Sequence, residues 1–241
     1  MFAEQKFFVG IQDCGTGGWI KNRSLLENMS DTATVHGKLV GETIEKLAAQ
    51  NLAWVITNWK LEVVKRVKYA STVTVRTWSA GYNPAFADRE YQAFDENGEL
   101  IAKATSVWMI LNTQRNFPQR LNAVLMEPYG TEPEQVNFPG FKFVNQNLDQ
   151  LETVNTVYYT VARSMIDYNR HVHNSAYLDI ALEALPEGVN EMDFNNVEIS
   201  FKREIKPAQR VRLDFARSEG ASFVLIHSED GQTLHTVIKL W

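Results

Sequence analysis

A chain of 241 residues, 44% hydrophobic and 22% charged, can bury a sizeable core and suits two domains of about 100–130 residues each. Its formal net charge of −5 argues against general nucleic-acid binding, and no stretch approaches the roughly 18 apolar residues of a membrane span. A single cysteine, Cys14, excludes an internal disulfide, and with no basic-then-apolar leader a cytoplasmic protein is expected.

Helical periodicity runs over 22–34 and 38–51, with Gly37 and Gly41 either interrupting the helices or marking close packing. Alternating polar and apolar residues then predict strands at 59–67, 71–78, 85–94 and 102–111, with Asn97-Gly98 as a tight hairpin. Pro118, Pro128, Pro133 and Pro139, with Gly130 and Gly140, prevent regular structure through much of 118–152, which reads as an exposed, semi-stiff linker. Beyond it come a strand at 155–165, a helix at 174–185 and strands at 194–205, 209–217, 221–228 and 233–240. Asp230-Gly231 turns between the last two.

The two halves overlay. Leu61, Val67, Val73 and Val75 fall on Ile199, Ile205, Val211 and Leu213 at one constant offset, and Asp13 before the first helix matches Asp167 before the last. Each copy reads strand, helix, then four antiparallel strands, and one helix wrapped by such a sheet is the hotdog arrangement. The expected fold is therefore α+β with two tandem hotdog domains. They occupy 1–117 and 153–241, on either side of the linker.

Residues 167–174 read Asp-Tyr-Asn-Arg-His-Val-His-Asn. In an extended segment Asp167, Asn169 and His171 share one face, just ahead of a helix N-terminus whose free N–H groups suit a developing oxyanion. Asn174 or Ser175 could also cap that helix without any chemistry. The segment resembles the Asp-x-Asn-x-His-Val-x-Asn signature of the acyl-ACP thioesterases, enzymes with two fused hotdog domains. Trp54 to Arg66, Trp78, Phe86 to Glu90 and Thr105 to Arg115 carry the resemblance across nearly the whole chain. Phe201-Lys202-Arg203-Glu204-Ile205 is similar to the Tyr-Arg-Arg-Glu-Cys segment of the plant enzymes, in which the Glu is the base.

The resemblance implies hydrolysis of acyl-acyl carrier protein to free fatty acid and carrier thiol, without cofactor or metal. Glu204 would activate water, Asn169 and His171 would polarise the carbonyl or orient the water, and Asp167 would orient its neighbours. Ile205 replaces the family's cysteine, which disfavours a thiol mechanism. Only the second copy keeps these groups, because Asn169 and His171 fall on Gly15 and Gly17, and Glu204 falls on Arg66. Leu25, Met29, Trp54, Trp78 and Asn174 are the expected substrate-binding residues, although core is the ordinary place for any one Trp. Cys14, in the non-catalytic copy, reads as a small buried residue. Asp167, His171 and His173 could also share a face as metal ligands, but no cysteine lies nearby.

An acidic carrier protein requires a basic patch, from Lys60, Lys65, Arg66 and Lys68 or from Lys202, Arg203, Lys206, Arg210 and Arg212. Two other readings are an acyl-CoA thioesterase of hotdog type and a non-catalytic lipid-binding hotdog protein. A homodimer is compatible with the sequence but not required by it.

Overall fold

The computed structural model describes residues 1–143, 147–167, 170–218 and 220–241. The chain opens with β1 (Phe2–Phe8), crosses to an 18-residue helix α1 (Asn22–Leu39) and a short α2 (Ile44–Ala49), and continues through β2 (Leu52–Val63). Then follow β3 (Thr72–Tyr82), β4 (Ala87–Phe94), β5 (Leu100–Asn112), the short β6 (Phe117–Gln119) and α3 (Ala123–Met126). The second copy runs β7 (Glu152–Thr160), α4 (Ala176–Leu182), β8 (Asn196–Phe201), β9 (Arg210–Ser218), β10 (Ala221–Ser228) and β11 (Leu234–Leu240).

All the strands join one sheet in the order β1-β3-β4-β5-β2-β8-β11-β10-β9-β7, with β6 on the edge of β5. Read outward from the middle, 2-5-4-3-1 is matched by 8-11-10-9-7, so the two halves are the same unit in mirrored order. The antiparallel β2–β8 pair, with Trp59 opposite Ile199 and Leu61 opposite Val197, joins two hotdog units edge to edge. That pairing removes one exposed edge from each unit. Leu25 and Met29 of α1, Leu61, Ile199, Tyr177 of α4 and Leu213 belong to a single buried cluster, so the copies share one core. Arg23 of α1 also pairs with Asp179 of α4.

Four expectations change. The helix expected at 38–51 splits, because α1 continues to Leu39 and Gly41, at φ +78°, then turns the chain before α2. Gly37 is a point of close approach, though not to the sheet: a Cβ there would stand 2.9 Å from the backbone oxygen of Glu42. The strand expected at 194–205 ends at Phe201, since residues 202–209 peel away into a turn around Pro207. The stretch expected as an exposed linker is partly structural. Leu121, Met126 and Tyr129 are buried against Leu47, Ala87 and Ile110, and Asn137 donates to the backbone oxygens of Tyr91 and Ala104.

Candidate functional site

β7 leads into a single turn at Arg163–Met165, after which Ile166 and Val172 form an antiparallel bridge. Between them the chain reverses. Asp167 N–H donates to His171 O at 2.8 Å, Arg170 N–H to Asp167 O at 3.0 Å, and Arg170 sits at φ +65°. The Asp167 carboxylate accepts from His171 N–H at 3.1 Å and so caps this turn. Asp167 and His171 are therefore the two ends of a turn rather than alternate residues of a strand, because local side-chain-to-backbone bonding wins over a strand that has no partner. Asn169 lies outside the described residues.

His171 Nε2 stands 3.0 Å from Glu204 Oε2, and both side chains are more than half exposed, at 57% and 53%. Such exposure means the contact adds little stability and stays open to water and substrate. Glu204 is positioned from beneath. Ile205 is fully buried, its N–H donates to the Tyr177 hydroxyl at 3.2 Å, and the N–H groups of Lys202 and Arg203 both donate to His235 O. Burial, reinforced by the nearby Glu204 and Asp167, pushes the Tyr177 phenol up to about 12, so it stays protonated. Ile205 is thus a core plug in the place where the plant enzymes carry cysteine.

A cavity of about 540 Å³ lies between α1, α2 and the inner face of the first sheet, walled by Ala33, Ala53, Trp54, Ile56 and Trp108. Asp167, His173 and Asn174 of the second copy also line it, so the loop ahead of α4 and the first copy's cavity are contiguous. Of the residues expected to bind substrate, Trp54 and Asn174 line it. Leu25 and Met29 do not, because they occupy the face of α1 packed into the shared core. Trp78 points to the opposite face of the sheet, where it meets Phe2 and donates to Gln135 O at 2.8 Å.

Sequence reasoning missed a buried chain at the near end of the cavity. Ser175 Oγ donates to Glu27 Oε1 at 2.9 Å and lies 2.8 Å from His173 Nδ1. The helix N-terminus is less available than expected. Ser175 N–H faces His173 Nδ1, and the N–H groups of Ala176 and Leu178 go to the backbone oxygens of His173 and Ser175. His171 and His173 turn to different partners, and among the described residues no group of three His, Cys, Asp or Glu side chains gathers as metal ligands. Cys14 is half-buried, with its thiol pushed up by burial and by Asp13, which makes it a poor nucleophile.

The first basic cluster is spent on the protein itself. Lys60 lies 3.9 Å from the Phe141 ring centroid, Lys65 pairs with Asp95 and Glu99, Arg66 donates to Ile20 O and Phe194 O, and Lys68 sits over Trp19. In the second cluster Arg210 pairs with Glu229 and Arg212 with Asp214, while Arg203 and Lys206 stay exposed on either side of Glu204.

A helix-and-sheet unit repeated in mirrored order, with an internal cavity leading to polar side chains on the second copy, defines a tandem hotdog protein. The family model for the acyl-ACP thioesterase N-terminal domain matches residues 2–129, and that for the C-terminal domain matches residues 148–241. The chain belongs to the acyl-ACP thioesterase family. It is 26% identical over 214 residues to the chloroplastic palmitoyl-acyl carrier protein thioesterase of Arabidopsis thaliana, covering 83% of this chain and 51% of that protein. The chain thus spans about half the length of that curated relative. In fold it resembles an acyl-ACP thioesterase from Bacteroides thetaiotaomicron, at TM-score 0.82 and 21% identity over 99% of this chain and 96% of that one. It also resembles the 12:0-ACP thioesterase of Umbellularia californica, at TM-score 0.83 and 16% identity with the same coverages.

Proposed function

We propose that this protein hydrolyses the thioester of acyl-acyl carrier protein, with Glu204 as the base. The observation that carries this reading is the 3.0 Å contact between His171 and Glu204, on loops adjoining an apolar cavity that Asp167 and Asn174 also line. Glu204 takes a proton from water as the water oxygen adds to the thioester carbonyl carbon. His171 donates Nε2–H to the Glu204 carboxylate, fixing its orientation, and Asp167 holds the His171 backbone. Asn169 is assigned the carbonyl-polarising role by its place in the motif. Collapse of the tetrahedral oxyanion breaks the C–S bond, and the departing thiolate recovers the proton from Glu204. Thiolates leave readily, so no stronger acid is required.

Arg203 and Lys206, flanking Glu204, supply positive charge where an acidic carrier would deliver its phosphopantetheine arm. The test is to measure hydrolysis of one acyl group on carrier protein and on CoA. Faster turnover on the carrier, weakened by Arg203→Ala with Lys206→Ala, supports the proposal. Equal rates on both, insensitive to that pair, would favour the acyl-CoA enzyme. No hydrolysis of either would leave a lipid-binding protein.

A further inference from the structure

The end of the cavity away from the catalytic loop is polar, which an acyl tail ending in methyl does not require. Arg89 lines the cavity there, and its Nη1 donates to His36 Nδ1 at 3.0 Å and to Thr77 Oγ1 at 3.3 Å. No carboxylate pairs with it among the described residues. Asp88, its neighbour in β4, borders the cavity but forms no ion pair with Arg89, and Glu90 projects from the opposite face, where it accepts from Asn137 N–H. Glu42, also at this end, is held by Lys46.

Ser79 adds a further group with nothing to bond at this spot, while His36 holds Arg89 from behind. His36 is fully buried and neutral, with burial and Arg89 lowering its pKa to about 4. Since Nδ1 accepts from Arg89, its proton sits on Nε2, which has no partner among the described residues. Ser79 lies directly opposite Arg89 in the β3–β4 pair, is 2% exposed and lines the cavity, and its hydroxyl is also unpartnered. The three residues offer donors and almost no acceptors. A cation left without a counter-ion in a site with apolar walls, beside orphaned donors, is costly unless an acceptor arrives. Along α1 this end, at Gly37, is about 10 Å from Ser30 and Asp31 beside the catalytic loop.

We propose that Arg89 and Ser79, with His36 positioning Arg89 through Nδ1, form a carboxylate site at the far end of the acyl cavity, for a carboxylate carried on an alkyl chain. The site rests on the reading of the cavity as an acyl pocket. The carboxylate has two sources, the ω-carboxyl of a substrate acyl chain or the free fatty acid product bound head-inward. Arg89 grips either source in the same way, as a planar fork matched to two oxygens.

Calorimetry with an α,ω-dicarboxylic acid, the monocarboxylic acid of the same length and the corresponding alcohol tests the site. The acids should bind wild type about 10–100-fold more tightly than the alcohol, and Arg89→Met should erase that ratio. A ratio unchanged in Arg89→Met, with unfolding temperature preserved, overturns the site. If Arg89→Met fails to fold, Arg89→Lys and Ser79→Ala take its place, and an unchanged ratio in both overturns it equally. Rates on ω-carboxyacyl and ω-methyl acyl carrier protein separate the sources. Preference for the carboxylated chain supports the substrate, and equal rates support the product. Wild type that hydrolyses neither thioester but keeps the acid-to-alcohol ratio would sink the thioesterase reading and leave the carboxylate site standing.

Discussion

The two copies share a topology and divide its uses. In the first, the helix has 18 residues and lies along the cavity, whereas in the second α4 has 7 and packs directly into the core. Both copies reverse the chain before the helix through a short bridged turn, Cys14 with Ile20 in one and Ile166 with Val172 in the other. At matched positions after the central strand, Arg66 is spent on the backbone oxygens of Ile20 and Phe194, while Glu204 stands exposed against His171. The same place in the fold is therefore a tie between copies in one half and an exposed carboxylate beside an imidazole in the other. Duplication lets one copy keep its interior open for a ligand because the neighbouring copy supplies both packing and polar side chains.

Breaking the division at its chemical side should have the largest effect. Glu204→Gln keeps size and hydrogen bonding but removes the base, and kcat on acyl-carrier substrate should fall by about 10²-fold or more. Circular dichroism should be unchanged, because the side chain is half exposed. Near wild-type turnover would shift the base to another group.

On the structural side, Leu25→Ala should lower stability by about 2–5 kcal/mol in denaturant titration without altering the preferred chain length. A changed preference would place Leu25 on the ligand after all.

The pH response should belong to the first copy. Burial raises Glu90 to about 7, so between its unfolded value near 4.5 and about 7 the folded state binds more protons than the unfolded one. Stability from Glu90 is present at low pH and is lost as pH rises through about 7, by up to about 3 kcal/mol. His36, lowered to about 4, acts with the opposite sign. Its folded state resists protonation, so stability falls as pH drops from about 6.5 toward 4. Glu90→Gln should abolish the loss of unfolding temperature between about pH 4.5 and pH 7, and an unaltered profile would remove Glu90 as its source.

The smallest effect sharpens the binding half. Ala33→Leu narrows the cavity, and the chain-length profile should move toward shorter acyl groups. The best remaining substrate should stay within about tenfold of wild type, since one methylene is worth about 1–3 kcal/mol. Uniform loss across all lengths would place the acyl tail elsewhere.

The strand alternation, the repeat and the motif at 167–174 were legible in sequence because they depend on local periodicity and residue type. Alternation says which residues share a face, and so it found the strands around Trp59, Val75 and Val211. It does not say which face meets the helix, so it could not separate Trp54, which lines the cavity, from Trp78, which faces the other way. Helical periodicity marked α1 but could not tell Leu25, packed into the core, from Ala33 at the cavity wall. Arg89, Ser79 and His36 carried no signal, because no spacing links three residues that meet only through β3, β4 and α1.

By itself the sequence determined two copies of one helix-and-sheet unit, and which copy holds the carboxylate, the imidazole and the carboxamide. Tertiary structure alone decided that β2 and β8 pair to make one sheet, that Asp167 and His171 are the two ends of a turn, and that Ile205 anchors Glu204 beside His171. The reason is physical. Propensity and period act over a few neighbouring residues, whereas register between distant strands and the bonding of loop backbones depend on partners that only the folded chain brings within reach.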